Sequence, residues 1–155
     1  MRIESHQKAL IAAKAALDKH AEALTVLDLR ALSSVTDYFL VCTALSDRQM
    51  RAISDAIEEQ LRRYGQRVWH TEGIARQNPR GASRARRRTE SSGFPRADHE
   101  PPADEVAWVL MDCGDVTVHV FTPPARTFYQ LEHLWADAPQ LALEWSNLPP
   151  PRASR

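Results

Sequence analysis

Apolar residues recur at helical spacing in two stretches of the first 65 residues. The first stretch, residues 4–23, predicts an amphipathic helix in which charged residues such as Lys8 fall between the apolar positions Leu10, Ala13, Ala16 and Leu17. Ser46 and Gln49 form a capping-box pattern that opens a second helix, and Gly65 is a suitable end for it. The predicted buried stripe of this helix consists of Met50, Ile53, Ile57, Leu61 and Tyr64.

Three β-rich runs accompany these helices. Residues 24–29 (LTVLDL) and 38–43 (YFLVCT) are predicted strands, and a third strand is predicted at residues 67–71. The continuous apolarity of residues 38–43 is typical of a strand that is covered on both faces. The connection before it is rich in residues that favour turns, namely Ser33, Ser34 and Asp37.

The run AWVLMDCGDVTVHVF, residues 107–121, predicts two strands around a tight turn at Gly114 and Asp115. Glycine at the first central position suits a type II′ hairpin. If Cys113 pairs with Val116, one face of the hairpin is wholly apolar and consists of Val109, Met111, Val118 and Val120. The other face is then mixed and carries Trp108, Leu110, Asp112, Thr117, His119 and Phe121. A longer turn would change these partners.

The composition changes abruptly between residues 74 and 105, which are rich in Arg, Pro, Ser, Gly and Glu. Such a segment buries too little apolar surface to offset the entropy of ordering its backbone, so we predict a disordered insert. A last helix is predicted at residues 125–135, with Pro124 in its first turn. Residues 146–155 are predicted to form a flexible tail.

The order of elements predicts a single α/β domain with one mixed sheet of about five strands flanked by helices. Residues 1–73 and 106–145 would form this domain, interrupted by the insert. A chain of 155 residues is of the usual size for one domain.

Composition excludes few classes of function. Lys plus Arg and Asp plus Glu number 20 each, which argues against a protein that relies on broad attraction to nucleic acid. Cys42 and Cys113 both lie in apolar stretches, which favours buried thiols over a disulfide framework. No stretch approaches the length of a membrane-spanning helix, so the expected location is the cytoplasm.

Four stretches together resemble the ribosomal silencing factor family, also called the Iojap-like family. They are residues 27–59 (LDLRALSSVTDYFLVCTALSDRQMRAISDAIEE), the strand at residues 108–112, residues 114–121 (GDVTVHVF) and residues 125–135 (ARTFYQLEHLW). The most diagnostic parts are the Ser-x-x-x-Asp-Tyr pattern at residues 33–38 and the Asp-x-Gly-Asp-Val-x-Val-His pattern at residues 112–119. Their order and spacing make the joint match specific.

The resemblance implies a fold related to nucleotidyltransferases but without their catalytic signature, and no enzymatic activity. It also implies docking on ribosomal protein fourteen of the large subunit, which would block joining of the small subunit and lower translation when nutrients are scarce. Two features depart from the family pattern. The insert is atypically long, and Cys113 stands where many members carry an aromatic residue.

We expect the mixed hairpin face and the turn at residues 33–38 to bind the partner. An aromatic anchor that excludes water around a few polar contacts is typical of a protein interface, although filling the core is the commoner role for a residue such as Trp108 or Trp135. The candidate partner-binding residues are Ser33, Asp37, Tyr38, Trp108, Leu110, Asp112, Gly114, Asp115, Thr117 and His119. Asp112 and Asp115 could pair with basic side chains of a ribosomal protein, and His119 could equally be an ordinary hydrogen-bonded strand histidine.

The main competing hypothesis is a nucleotidyltransferase-type enzyme. Such enzymes need a Gly-Ser helix start to hold phosphate and paired carboxylates for magnesium, and the sequence has neither. A carboxylate metal site at Asp112 and Asp115 is disfavoured because an Asp beside Gly in a hairpin usually serves the turn. A zinc site formed by His70, Cys113 and His119 is disfavoured because the spacing matches no common zinc pattern. No cofactor and no metal are therefore expected.

Residues 76–88 contain six arginines and no acidic residue, so they could contact ribosomal RNA phosphates. The candidate contacts are Arg84, Arg86, Arg87 and Arg88. An RNA-binding adaptor acting through this segment is the third hypothesis, and a solvated linker is favoured over it. The sequence leaves homodimer formation open.

Overall fold

The computed structural model describes residues 3–73, 108–146 and 148–151. The whole of the predicted insert, residues 74–105 with its arginines, lies outside the described residues. In chain order the helices and strands are α1 (Ser5–Asp18), β1 (Glu22–Asp28), β2 (Tyr38–Thr43), α2 (Asp47–Arg63), β3 (His70–Gly73), β4 (Trp108–Asp112), β5 (Val116–Phe121), α3 (Pro123–Tyr129) and α4 (Leu131–Leu134).

The five strands form one mixed sheet in the order β1-β2-β5-β4-β3. Strand β2 pairs with β5 in parallel, and the other three pairings are antiparallel. The predicted α/β class with one mixed sheet is therefore confirmed.

The helix predicted at residues 125–135 is divided in two. Gln130 adopts a left-handed conformation with φ of 44° between α3 and α4, which ends the regular helix at that residue. The Arg126 guanidinium in α3 donates to Glu132 Oε1 at 2.7 Å and to Thr43 Oγ1 at 2.9 Å. These bonds hold the broken helix against the end of β2.

Helices α1 and α2 cover one face of the sheet. Ser46 Oγ accepts the Gln49 N–H at 3.1 Å at the start of α2, as the sequence predicts. Four residues of the predicted α2 stripe, Met50, Ile53, Ile57 and Leu61, lie in the main core cluster, and Tyr64 is partly buried against it. Leu40 of β2 and Val118 of β5 belong to the same cluster and are completely buried. This face is the apolar face that the hairpin alternation predicts.

Helix α1 differs from the one-sided amphipathic helix that its sequence predicts. It contacts α2 as well as β1, β2 and β5, so its small residues are buried around most of its circumference. Lys8 is buried, whereas Leu17 on the predicted apolar stripe is 38% exposed.

The opposite face of the sheet is covered by the chain that follows β5. Val41, Phe121 and Ala125 of α3 form one small buried cluster, and Leu27, Leu29 and Ala138 form another. Because neighbouring residues of a strand point to opposite faces, the burial of both Leu40 and Val41 confirms that β2 is covered on both sides.

A C-terminal segment, residues 139–141, lies along the outer edge of β1. Asp28 donates its N–H to the Pro139 carbonyl at 2.7 Å, and Leu141 donates to the Val26 carbonyl at 2.8 Å. Leu148 packs against the main core cluster. Residues 147 and 152–155 of the predicted flexible tail lie outside the described residues.

No helix among the described residues is long and apolar enough to span a membrane.

We expect Leu40→Ala to lower the free energy of unfolding by about 2 to 5 kcal/mol, because it leaves a cavity on the helix-covered face. Val41→Ala should cost more than about 1 kcal/mol, since it removes buried groups from the opposite face. Leu45→Ala, at a residue that is 61% exposed, is the matched control and should change stability by less than about 0.5 kcal/mol. Urea denaturation measures all three, and a negligible effect of Val41→Ala would contradict the covered second face.

Candidate protein-interaction surface

The β4–β5 hairpin has the register that its alternation predicts. Val109 pairs with Val120, and Met111 pairs with Val118. Cys113 donates its N–H to the Val116 carbonyl at 2.9 Å. Gly114 follows with a φ of +90°, a conformation that glycine adopts without steric cost.

The mixed face of the hairpin is more covered than the sequence suggests. Six aromatic rings lie in contact on this side of the sheet, and we call them the aromatic layer: Phe39, Trp108, His119, Phe121, Tyr129 and Trp135. The Trp108 ring stacks on Phe121 with centroids 5.2 Å apart and contacts Tyr129 of α3 at 4.9 Å. Offset and edge-on ring pairs of this kind add to the stability supplied by burial.

His119 lies inside the aromatic layer and is only 3% exposed, which corrects the expectation of an open strand position. Trp108 Nε1 donates to His119 Nδ1 at 3.1 Å, so the neutral ring carries its proton on Nε2. Nε2 has no hydrogen-bond partner among the described residues. Burial lowers the pKa of His119 to about 4. His119 is therefore neutral at physiological pH and orients Trp108.

Tyr38 is also buried, with 1% of its surface exposed, and it lies on the helix-covered face. Arg30 lies over its ring, with the guanidinium carbon 5.4 Å from the ring centroid. Tyr38 was expected to belong to the partner-binding surface. It is instead a core residue that anchors the start of β2.

The turn before β2 is held by local hydrogen bonds. Leu29 donates its N–H to the Asp37 carbonyl at 2.8 Å, and Val35 donates to Ser33 Oγ at 3.2 Å. Val35 is 86% exposed, while Ser33 and Asp37 are partly exposed. The sequence analysis did not select Val35. An apolar, β-branched residue in an otherwise polar turn could have indicated an exposed contact residue.

This turn and the hairpin turn meet at the backbone carbonyl of Asp115. Asp37 and Tyr38 donate their N–H groups to it at 2.8 and 3.2 Å, and Thr36 Oγ1 donates at 3.1 Å. The structure therefore brings together the turn at residues 33–38 and the hairpin turn, which the sequence analysis had proposed as separate parts of the partner-binding surface. Sequence reasoning missed Thr36.

The Asp115 carboxylate is ion-paired with Lys8 of α1, and Lys8 Nζ also donates to the Cys113 carbonyl at 3.0 Å. Asp115 was expected to be an exposed turn residue able to pair with a ribosomal protein. The structure pairs its carboxylate with Lys8, while 39% of the Asp115 side chain stays exposed. A lysine substitution there would place two ammonium groups together. The spacing of Lys8 three and four residues before the buried Ile11 and Ala12 could have indicated that it faces the core.

Four of the other nominated residues that remain partly exposed lie just before β2, in β4 and near the start of β5. We call them the open strip: Asp37, Leu110, Asp112 and Thr117. Asp112 Oδ1 accepts the Gly114 N–H at 2.9 Å, so it also shapes the hairpin turn. Neither Asp37 nor Asp112 forms a salt bridge within the described part of the chain. The open strip thus presents an apolar side chain, a hydroxyl and two carboxylates.

The arrangement does not assemble the metal sites considered from the sequence. Cys113 lies in the main core cluster, whereas His119 lies in the aromatic layer on the other face, and His70 is bonded to Glu72 at 2.7 Å. No group of three or more His, Cys, Asp or Glu residues within residues 3–73, 108–146 and 148–151 could hold a metal ion. Burial raises the pKa of both Cys42 and Cys113 to about 12, which makes them the inert core thiols that were predicted.

The depressed pKa of His119 predicts a pH dependence of stability. Between its ordinary pKa of 6.5 and its folded pKa of about 4, the unfolded chain binds a proton that the folded chain does not. The free energy of unfolding should therefore fall as the pH is lowered through this window, by roughly 3 kcal/mol in total. His119→Phe should remove this component, which urea denaturation between neutral pH and about pH 5 would measure.

The exposed His133 supplies the matched control, because His133→Phe should leave the pH dependence as it is in the unmodified protein. Equal slopes for the unmodified protein and His119→Phe would show that His119 is not held neutral.

The chain is similar to known proteins over most of its length. A family model described as ribosomal silencing factor during starvation matches residues 2–155. The ribosomal silencing factor RsfS of Bacillus subtilis (strain 168) is 38% identical over 135 residues, covering 87% of this chain and 90% of that protein. RsfS of Halalkalibacterium halodurans is 31% identical, covering 90% and 96%. The chloroplastic protein Iojap of Arabidopsis thaliana is 29% identical, covering 96% of this chain and 50% of that protein.

Solved structures show the same likeness. A crystal structure of a Chromobacterium violaceum protein aligns with a TM-score of 0.63 and 27% identity, covering 86% of this chain and 88% of that one. A Bacillus halodurans protein aligns with a TM-score of 0.57 and 30% identity, covering 86% and 94%. The names of the relatives describe silencing factors and not enzymes. On the family match and these relatives, the chain belongs to the ribosomal silencing factor family.

Proposed function

We propose that the protein binds the large ribosomal subunit through ribosomal protein fourteen, blocks association with the small subunit and so represses translation when nutrients are limiting. Membership of the silencing-factor family supports a ribosomal partner. The observation that carries the choice of surface is the partial exposure of the open strip. Thr117 pairs with Asp112 across the β4–β5 hairpin, and Leu110 lies two residues before Asp112 in β4. Asp37 immediately precedes β2.

The chemistry of the open strip suits a basic protein partner. Ribosomal proteins are basic as a class, and carboxylates at an interface increase the association rate and select against acidic partners. Partly exposed Trp108 lies at the border of the open strip, where its ring is already held by His119 and Tyr129. A preorganised aromatic side chain loses little conformational entropy on binding.

The proposed location, oligomeric state and RNA contact do not depend on the open strip. We propose that the protein acts in the cytoplasm, and formation of a homodimer is compatible with this function. Arg84, Arg86, Arg87 and Arg88 are proposed to make a peripheral contact with ribosomal RNA phosphates, which would make binding weaken as salt concentration rises.

The protein should co-sediment with free large subunits and be depleted from joined ribosomes. The reason is competition, because a factor on the joining face and the small subunit cannot occupy one surface together. Sucrose-gradient fractionation followed by quantification of the protein in each fraction tests this. Equal occupancy of free and joined particles would contradict the proposed block.

Asp37→Lys should weaken binding to isolated large subunits by about tenfold or more, equivalent to at least about 1.4 kcal/mol, because it places a cation opposite a basic partner. The fold should survive, because Asp37 is partly exposed and its structural hydrogen bonds are made by its backbone.

Asp55→Lys makes the same charge change on the exposed face of α2, on the other side of the sheet, and should bind like the unmodified protein. If the Asp37 variant is folded and its dissociation constant equals that of the Asp55 variant, the open strip is not the docking surface.

A further inference from the structure

We infer that Lys8 is a positioning residue for docking, which acts from the helix-covered side of the sheet by fixing the hairpin turn against the turn before β2. This inference rests on the proposed function, because it concerns the surface through which the partner is bound. Lys8 itself is 7% exposed, so it acts through other residues and not by touching the partner.

The first step of the argument is the position of the ammonium group. Lys8 Nζ bonds to the Cys113 carbonyl and to the Asp115 carboxylate, so it clamps the residues on both sides of Gly114. A buried ammonium group is costly unless its hydrogen-bond donors and its charge are both matched. The two contacts match its charge and two of its three donors, which fixes the turn relative to α1.

The second step is the link from the clamped turn to the open strip. The Asp115 carbonyl faces three donors, which are the N–H groups of Asp37 and Tyr38 and the hydroxyl of Thr36. Thr117 Oγ1 in turn donates to Thr36 Oγ1 at 3.3 Å. Two residues of the open strip, Asp37 and Thr117, are therefore bonded to groups whose position depends on the clamp.

The third step separates this role from a merely structural one. A side chain that only stabilised the fold would lower the free energy of unfolding and leave the affinity of the folded protein unchanged. A side chain that sets the relative position of the two turns would also change affinity while the protein is folded, since contacts lose strength steeply with misplacement. Binding by the folded variant is therefore the decisive measurement.

The test compares Lys8→Met with Lys14→Met, which makes the same change at an exposed position of α1. At a temperature where both are folded, Lys8→Met should bind isolated large subunits about tenfold more weakly, equivalent to about 1.4 kcal/mol. Native-state hydrogen exchange should show faster exchange of the Asp37 and Tyr38 amides in that variant alone. Lys8→Arg, which keeps the charge and can donate to both acceptors, should recover most of the affinity.

If Lys8→Met is folded and binds like Lys14→Met, the inference is overturned, even if its stability is reduced. If Lys8→Met does not fold, Thr36→Val decides, because it removes the bond to the Asp115 carbonyl without altering a charge. It should accelerate exchange at Asp37 and weaken binding, and unchanged affinity would overturn the inference. If the unmodified protein does not bind large subunits, the proposed function fails, and the exchange data still show whether Lys8 orders the two turns.

Discussion

The parallel pairing of β2 with β5 holds the fold together. Within the described residues, strand β1 reaches the sheet only through β2, and β3 reaches it only through β4 and β5. Without the pairing that runs from Tyr38 opposite Val116 to Thr43 opposite Phe121, the sheet would separate into a two-stranded and a three-stranded piece. Small antiparallel pieces of this kind are marginal alone, so the central pairing and the helices that cover it form a single cooperative unit.

This central pairing also decides where a partner can bind. Strands at the centre of a mixed sheet are usually covered on both faces, and here α1 and α2 cover one face while the aromatic layer and α3 cover much of the other. Accessible side chains of the central strands are left mainly at the end where β2 and β5 begin. Asp37, Asp112 and Thr117 of the open strip lie at that end, beside the Asp115 carbonyl that starts the parallel pairing.

The sequence predicted those parts of the molecule that follow from local periodicity. Alternation between Val109, Met111, Val118 and Val120 fixes the hairpin register and its core face, and the apolar run at residues 38–43 indicates a strand with both faces covered. Both are properties of neighbouring residues, so no tertiary information is needed to find them.

The misplaced site residues depend on contacts between distant parts of the chain. The sequence alone predicts an accessible strand position for His119, but Trp108 and α3 cover it in the fold. It likewise predicts an unpaired turn carboxylate for Asp115, but Lys8 of α1 forms an ion pair with it. The break at Gln130 likewise opposes the helical pattern of residues 125–135. In each case a tertiary contact or a single backbone conformation overrides the local pattern.

The C-terminal segment beside β1 has a consequence for how the sheet behaves in a concentrated solution. An uncovered sheet edge offers a row of backbone donors and acceptors on which another chain can assemble, and β1 has part of this row occupied by residues 139–141. The opposite edge is β3, which has four residues and exposes His70 and Glu72. A short, charged edge is a poor template for an added strand. In the described part of the chain, the β1 edge is therefore partly covered, and the β3 edge is short and carries a charged residue. Both features oppose edge-to-edge aggregation.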